Sequence, residues 1–428
     1  MKNLRILGMI AIVFMAFSCT DELLTESELE QSQGDSPNLF SREGTAPNEI
    51  TFSSNQLVIQ YKEGTTAEQM ANLRRIHQVD IAKVKSCGGC LDNTFIVELW
   101  ELVEGIDPIE KKGLLKGDGG GGPEDIILEV DREFTFTLEK NINEVPYVPT
   151  NNMDFKPLIA NNRGIVVGVV DLGIDANYKG AFGTTPFLHD SANSCRPQEI
   201  SGWNFANNNN KPYDGDGHGT KVTYVIANKL KNLGIPFEVL PVKVFKDDRS
   251  TSYFTILCGA DYAFKNSNVV NMSFGYFLTN AGNADLIFSN LLSRYSHIPV
   301  ITSAGNDDQD NDFTPHFPSS HPHGNIIAVA ATNSEDIIAS FSNFGASSVD
   351  FCAIGQDVYF PNPGGSATLI HGTSFSAATV TAKVAEFLHL SNGNPYTVSD
   401  IINYLDSTGK PVKSGSIPKP IRYSKLIE

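Results

Sequence analysis

Apolar positions along the chain change their rhythm three times. The first apolar stretch, Ile6 to Phe17, is unbroken and follows Lys2 and Arg5. It runs about a dozen residues, short of the roughly 20 that a membrane-spanning helix needs. From Asp21 to Asn48 large apolar residues are sparse and acidic and serine residues dominate, the pattern of a disordered tether. Between about 49 and 148 strand and helix periods are mixed. Gln56–Tyr61 and Thr94–Trp100 read as strands, and Thr66 stands as the cap of a helix carrying Met70, Leu73, Ile76 and His77. Gly119–Pro123 is a break, and Ile126–Val130 and Phe134–Leu138 read as two closing strands.

Beyond about residue 157 the rhythm becomes a regular alternation. Gly164–Val170 is apolar on both faces, as a buried parallel strand must be. Further strands are predicted at Phe237–Val244, Val269–Ser273, Val300–Ser303 and Ile326–Ala330. Helices are predicted at Val222–Lys231, Phe254–Phe264 and Asp285–Tyr295. The prediction is an α/β fold, a doubly wound and mostly parallel sheet, preceded by a smaller α+β module.

Composition narrows the function classes. A chain of 428 residues suggests two or three domains. Its formal net charge of -17 argues against a nucleic-acid partner, which needs a basic face, and against a polybasic membrane surface. Six cysteines are too few for a disulfide scaffold.

The N-terminus reads as an export signal. Ala16-Phe17-Ser18-Cys19 ends the apolar run and resembles a bacterial lipoprotein signal, with Cys19 as the acylated residue. An ordinary secretory signal cleaved nearby is the alternative. The resemblance implies residues 1–18 as signal, and the pattern along the chain gives 19–48 as acidic tether, 49–148 as the α+β module and 149–428 as the main domain. It also implies a lipid-anchored protein of the bacterial cell envelope, on the outer membrane.

Three residues sit where open α/β sheets place their chemistry, just past the carboxyl ends of strands. Asp171 follows the apolar strand, His218 lies in Asp214-Gly215-Asp216-Gly217-His218-Gly219-Thr220, and Ser374 follows His371-Gly372-Thr373 ahead of a small-residue helix, Ser376 to Val384. A serine is a weak nucleophile at neutral pH, so it needs a base, and the base needs an orienting carboxylate. Taken singly, each residue would be a cap, a turn acid or a surface histidine.

Together they resemble the subtilisin-like serine proteases, or subtilases. The matching pieces are Val169–Asp175, His218-Gly219-Thr220, Val270–Gly275, Ser303-Ala304-Gly305-Asn306 and Gly372-Thr373-Ser374, with smaller echoes at Phe317–Ser320 and Ala339–Ser342. The order Asp, His, Ser is that family's own. The resemblance implies a serine endopeptidase acting on polypeptides through an acyl-enzyme. Ser374 would be nucleophile, His218 base and Asp171 orienting acid, with Asn306 as oxyanion donor and Ser273, Phe274 and Gly275 as the substrate-binding strand. The alternative is a catalytically silent subtilase fold serving in binding or assembly. The G-x-S-x-G elbow of other serine hydrolases is absent around Ser374.

The resemblance also implies that residues 49–148 form a pro-domain that inhibits its own chain, with Phe134–Leu138 near the cleft. Leu172, Lys221, Ser376, Ala377 and Ala378 depart from frequent family residues and mark a divergent branch. No metal is required for this chemistry. Calcium at Asp214 and Asp216, or at Asp307–Asp312, is possible in principle, but no complete ligand spacing is seen. Cys87-Gly88-Gly89-Cys90 reads as a turn or a local disulfide, not a metal site. Cys195, Cys258 and Cys352 have no evident partners, and Cys258 and Cys352 are expected as buried thiols.

Overall fold

The computed structural model describes residues 50–88, 94–116, 122–138, 147–150, 159, 164–178, 181–182, 187–191, 196, 198–278, 285–363 and 365–428. The export signal, the tether and Cys19, Cys90 and Cys195 lie outside the described residues, as does the Gly119–Gly121 part of the glycine break. Among the described residues no helix is long and apolar enough to cross a membrane.

Among the described residues the larger sheet has nine strands. Ile165–Asp171 lies inside it, third from one edge, with Phe237–Lys243 on one side and Val269–Met272 on the other, all parallel. Beyond Val269–Met272 the chain moves steadily outward through Val300–Ser303, Ile326–Thr332 and Phe351–Ile354, also parallel. The chain therefore steps from Ile165–Asp171 to one neighbour, then crosses back to the other. That reversal leaves a crevice at the carboxyl end of Ile165–Asp171.

The strand Ile165–Asp171 is apolar on both faces because both are covered. Val167 and Val169 join the core that packs α3 (His218–Asn232) and α6 (Thr373–Ser391). Val170 faces the opposite core with α4 (Tyr253–Asn266) and α5 (Leu286–Arg294).

The N-terminal module has its own sheet. Thr51–Tyr61 pairs antiparallel with Ile96–Glu101 and with Ile127–Thr137. Ile127–Thr137 is one continuous strand, where the sequence pattern suggested two. The intervening Asp131, Arg132 and Glu133 look like a polar break but belong to the ladder, and Asp131 and Glu133 are buried by a partner described below. Leu57, Ile59 and Tyr61 turn to a small core with Leu73 of α1 (Ala67–Ile76) and Leu115 of α2 (Pro108–Lys116). Thr66 caps α1 through a capping box with Gln69. Helix α2 escapes the hydrophobic pattern because its apolar face is narrow and Gly113 interrupts it.

The other face of the module sheet does not face water. Val58, Val97, Leu99, Phe134 and Phe136 share one core with α4 and α5. Phe134 stacks on Tyr253 at 4.7 Å, and Phe136 meets Phe245 edge-on at 5.8 Å. The module sheet also continues into the larger unit, because Thr135–Thr137 pairs antiparallel with Ser250–Ser252.

A disulfide joins Cys87 to Cys258 across 171 residues. The expectation of a Cys258 thiol is thus corrected. The thiol sits on α4 where the module's sheet edge meets it, so its partner comes from a distant segment. Cys352 is the free buried cysteine among the described residues, and burial holds its thiol above the usual cysteine range.

Phe134→Ala in the Ser374→Ala chain is expected to cost about 3–5 kcal/mol, the usual range for emptying a buried aromatic site. Urea unfolding followed by tryptophan fluorescence would measure it, and a cost near zero would mean the shared core does not hold the module.

Candidate active site

Three elements bring the predicted residues together. Asp171 ends the strand Ile165–Asp171, His218 opens α3 and Ser374 lies in the first turn of α6. His218 Nδ1 lies 2.8 Å from Asp171 Oδ1, and His218 Nε2 lies 3.1 Å from Ser374 Oγ. Asp171 is fully buried and Oδ1 also accepts the Leu172 N–H at 2.7 Å. A carboxylate on Nδ1 holds the proton there and leaves Nε2 as an acceptor for the serine hydroxyl.

Glycines make the approach possible. A Cβ on Gly219 would lie 2.2 Å from the Gly173 carbonyl, so the first turn of α3 can rest on the strand end only without one. Gly217 at the helix N-cap has φ 101°, the left-handed region. Asp214 ties this loop. Oδ1 accepts the Gly217 and Asp216 N–H groups, and Oδ2 accepts the Thr220 N–H and hydroxyl. Burial pushes the Asp214 carboxyl up to about 6, against the opposing pull of Lys243 and these donors. Asp216 accepts from Arg249 Nε at 2.7 Å.

Asn306 has a defined amide orientation. Oδ1 accepts from the Thr373 N–H at 2.9 Å and the Thr373 hydroxyl at 3.0 Å. The Nδ2 donor is therefore directed away from those groups. Asn306, Ser374 and His218 line one cleft with Ser273, Phe274, Gly275, Ser303, Gly305, His316 and His371. Such a cleft can bind a carbonyl, attack it, and hold the resulting oxyanion.

The predicted substrate strand takes two roles. Gly275 opens its edge to the cleft. The Ser273 hydroxyl instead donates to the Ser374 carbonyl at 3.0 Å and receives Asn271 Nδ2, fastening α6. The Phe274 ring is buried against Phe245. Sequence reasoning missed Asn343, which is fully buried and accepts the Asp307 and Gln309 N–H groups on Oδ1. It holds the loop bearing Asn306. Its signal was slight, a single residue beyond Ala339–Ser342.

The acids considered for calcium have protein partners. Besides the contacts of Asp214 and Asp216, Asp308 pairs with Lys419 and Asp312 accepts Ser347 and Ser348. Among the described residues no group of three or more His, Cys, Asp or Glu could hold a metal ion.

The module reaches this site. The Leu138 N–H donates to the Arg249 carbonyl at 3.1 Å, and Leu138 lines the cleft with His218 and Ser374. The described chain resumes at Tyr147, whose ring packs against Gly217 and whose hydroxyl donates to Asp175. Farther back, two module carboxylates cap helices of the larger unit. Glu133 accepts the Phe254 N–H at the start of α4. Asp131 accepts the Ile287 N–H at the start of α5 and the Tyr253 hydroxyl. Asp285, the N-cap residue of α5, gives no side-chain cap of its own, so the module supplies it.

Residues 162–415 match the family model described as the subtilase family. "Subtilisin-like serine protease Pen ch 13" of Penicillium rubens is 31% identical over 239 residues, which are 53% of this chain and 53% of that protein. "Thermitase" of Thermoactinomyces vulgaris is 28% identical over 229 residues, 52% of this chain and 74% of that protein. The chain thus spans about half the length of the fungal relative. The solved structure of a lanthipeptide protease superposes with a TM-score of 0.51 at 17% identity, covering 62% of this chain and 87% of its own, a likeness of fold.

Burial pushes the carboxyls of Asp131 and Glu133 up to about 7 in the docked state. Released into water they would return to about 4. Docking therefore takes up protons, is strongest below about pH 4, and weakens as pH rises through about 7. Fluorescence-monitored unfolding of the Ser374→Ala chain between pH 5 and 8 should show this slope, and Asp131→Asn with Glu133→Gln should flatten it.

Proposed function

Because the chain belongs to the subtilase family, we propose that it is a serine endopeptidase. The observation that carries this reading is the unbroken relay from Asp171 through His218 to Ser374, at 2.8 and 3.1 Å. Ser374 Oγ attacks the scissile carbonyl carbon while His218 Nε2 takes its proton. The carbonyl oxygen becomes an oxyanion that accepts from Asn306 Nδ2 and the Ser374 N–H. His218 returns the proton to the leaving amine, and water then releases the acyl group by the same path. Asp171 stays ionised, holding the imidazole and balancing its charge. No metal takes part in these steps.

The N-terminal module is read as the chain's own inhibitory pro-domain. Leu138 in the cleft and the carboxylate caps on α4 and α5 support this. The cut that separates the module from the main domain in the chain then falls between Leu138 and Tyr147. Export and attachment through a lipid on Cys19, in the bacterial outer membrane, complete this reading and are supported by the N-terminal signal.

Purified chain should cut itself between Leu138 and Tyr147, and the product, once reduced with dithiothreitol, should be labelled at Ser374 by a fluorophosphonate, with or without a chelator. Ser374→Ala should stay at full length. A folded main domain freed of the module that takes up no label would favour the silent-fold alternative. Asn306→Leu should lower kcat about 10²–10³-fold with little change in KM, the loss seen for one oxyanion donor in a member of this family. In cell fractionation, Cys19→Ser should move the protein from the membrane pellet to the soluble fraction.

A further inference from the structure

A histidine occupies the floor of the cleft where the substrate side chain must go. A substrate whose carbonyl meets Ser374 Oγ with its oxygen toward Asn306 would lay its side chain into the cleft that Gly275 and Gly305 also line. His316 lines the cleft there and is 1% exposed. A Cβ on Gly275 would fall 2.0 Å from its Cε1 and 2.2 Å from its Nε2. A Cβ on Gly305 would fall 3.2 Å from its Cδ2. Both walls thus lack side chains where the imidazole sits, and the ring fills space that two glycines leave.

The ring is fixed and neutral. Ser319 Oγ lies 2.9 Å from His316 Nδ1 and 2.7 Å from the His316 carbonyl. One hydroxyl proton must serve the carbonyl, so Nδ1 carries the ring N–H and Nε2 carries the lone pair. Phe277 packs edge-on to the imidazole at 5.2 Å. Full burial pushes its pKa down to about 3, so it stays uncharged across the working range.

We infer that His316 is the specificity-determining residue of this cleft, admitting a short side chain before the scissile bond and favouring one that donates a hydrogen bond, as Ser, Thr or Asn does. This rests on the endopeptidase reading above. The test is the cleavage profile of the self-processed protein, reduced with dithiothreitol, on peptides that vary only at that residue, normalised to fluorophosphonate-titrated sites. Ser, Thr and Asn should exceed Phe and Tyr in kcat/KM by about 10–100-fold, the scale on which pockets sort side chains. His316→Gly should raise the Phe and Tyr peptides at least about 10-fold and lower the Ser peptide. Should that variant not fold, His316→Asn keeps the first side-chain carbons and should shift the profile the same way. A wild-type preference for Phe or Tyr with Ser374 labelled overturns the inference alone. Absence of both labelling and cleavage overturns the endopeptidase reading with it.

A second inference rests on a different observation. The Cys87–Cys258 bond fastens the module to α4, on the far side of any cut between Leu138 and Tyr147. Arg196 strengthens that clasp, donating to the Cys87 and Gly88 carbonyls at 3.0 Å each. We propose that cutting the chain does not release the module, and that activation awaits reduction by a dithiol. One thiolate of the dithiol attacks a sulfur of the bond and its second thiol closes the reductant's own disulfide. Two electrons pass to Cys87 and Cys258, which leave as thiols. Until then the tether keeps the inhibitor at an effective concentration in the millimolar range. The cut protein should migrate as one species on a non-reducing gel and as two after dithiothreitol, with activity rising at least about 10-fold on reduction. Cys258→Ala should be active without reductant. Two species on the non-reducing gel, or activity indifferent to dithiothreitol in protein that labels at Ser374, overturns the proposal.

Discussion

The hydrogen bond between Asp171 and His218 exists because two backbones meet with no side chain between them. Gly219 lets the first turn of α3 rest on the Gly173 carbonyl, and that contact sets where the imidazole begins. Everything chemical in the cleft is measured from it. Ser374 reaches Nε2 from the opposite side because α6 is fastened to the Val269–Met272 strand and its extension. Thr381 donates to Asn271, Asn271 to Ser273, and Ser273 to the Ser374 carbonyl. A buried polar chain of this kind fixes a helix in rotation as well as position, since each member would be left unsatisfied by a slip.

The module and the larger unit solve one another's exposure. The module sheet has two apolar faces but only enough helix to cover one. Helices α4 and α5 present an apolar surface and helix starts that need acceptors. Phe134 and Phe136 close the first gap, and Glu133 and Asp131 close the second. The same strand then delivers Leu138 to the cleft. The same strand that supplies these contacts pairs edge to edge with Ser250–Ser252, so docking and occupation of the cleft come together.

Much of this was readable from the chain. The all-apolar strand Gly164–Val170 announced a buried parallel sheet, and Thr66 announced α1. Asp171, His218, Asn306 and Ser374 each stood within two residues of a glycine, and the structure places His218, Asn306 and Ser374 in one cleft with Asp171 buried behind His218. Ser273 and Phe274 were legible as a strand but not in their orientation. Their side chains serve α6 and the core, while the segment Ser273–Gly275 as a whole lines the cleft. Asn343 and His316 gave little signal, because each acts on a loop far from it in sequence. The strand Ile127–Thr137 looked interrupted because its acids are buried only by helices that follow more than a hundred residues later.

Local pattern determined the elements, their order and the residue types at the strand ends, since period, glycine and caps act over a few residues. Tertiary structure alone decided what those ends meet. It paired Cys258 with Cys87 rather than leaving it a thiol, and it turned Asp131 and Glu133 from surface acids into helix caps. It also set His316 against Gly275. These contacts join segments tens to hundreds of residues apart. No short-range preference encodes them; they follow from which faces must be buried together.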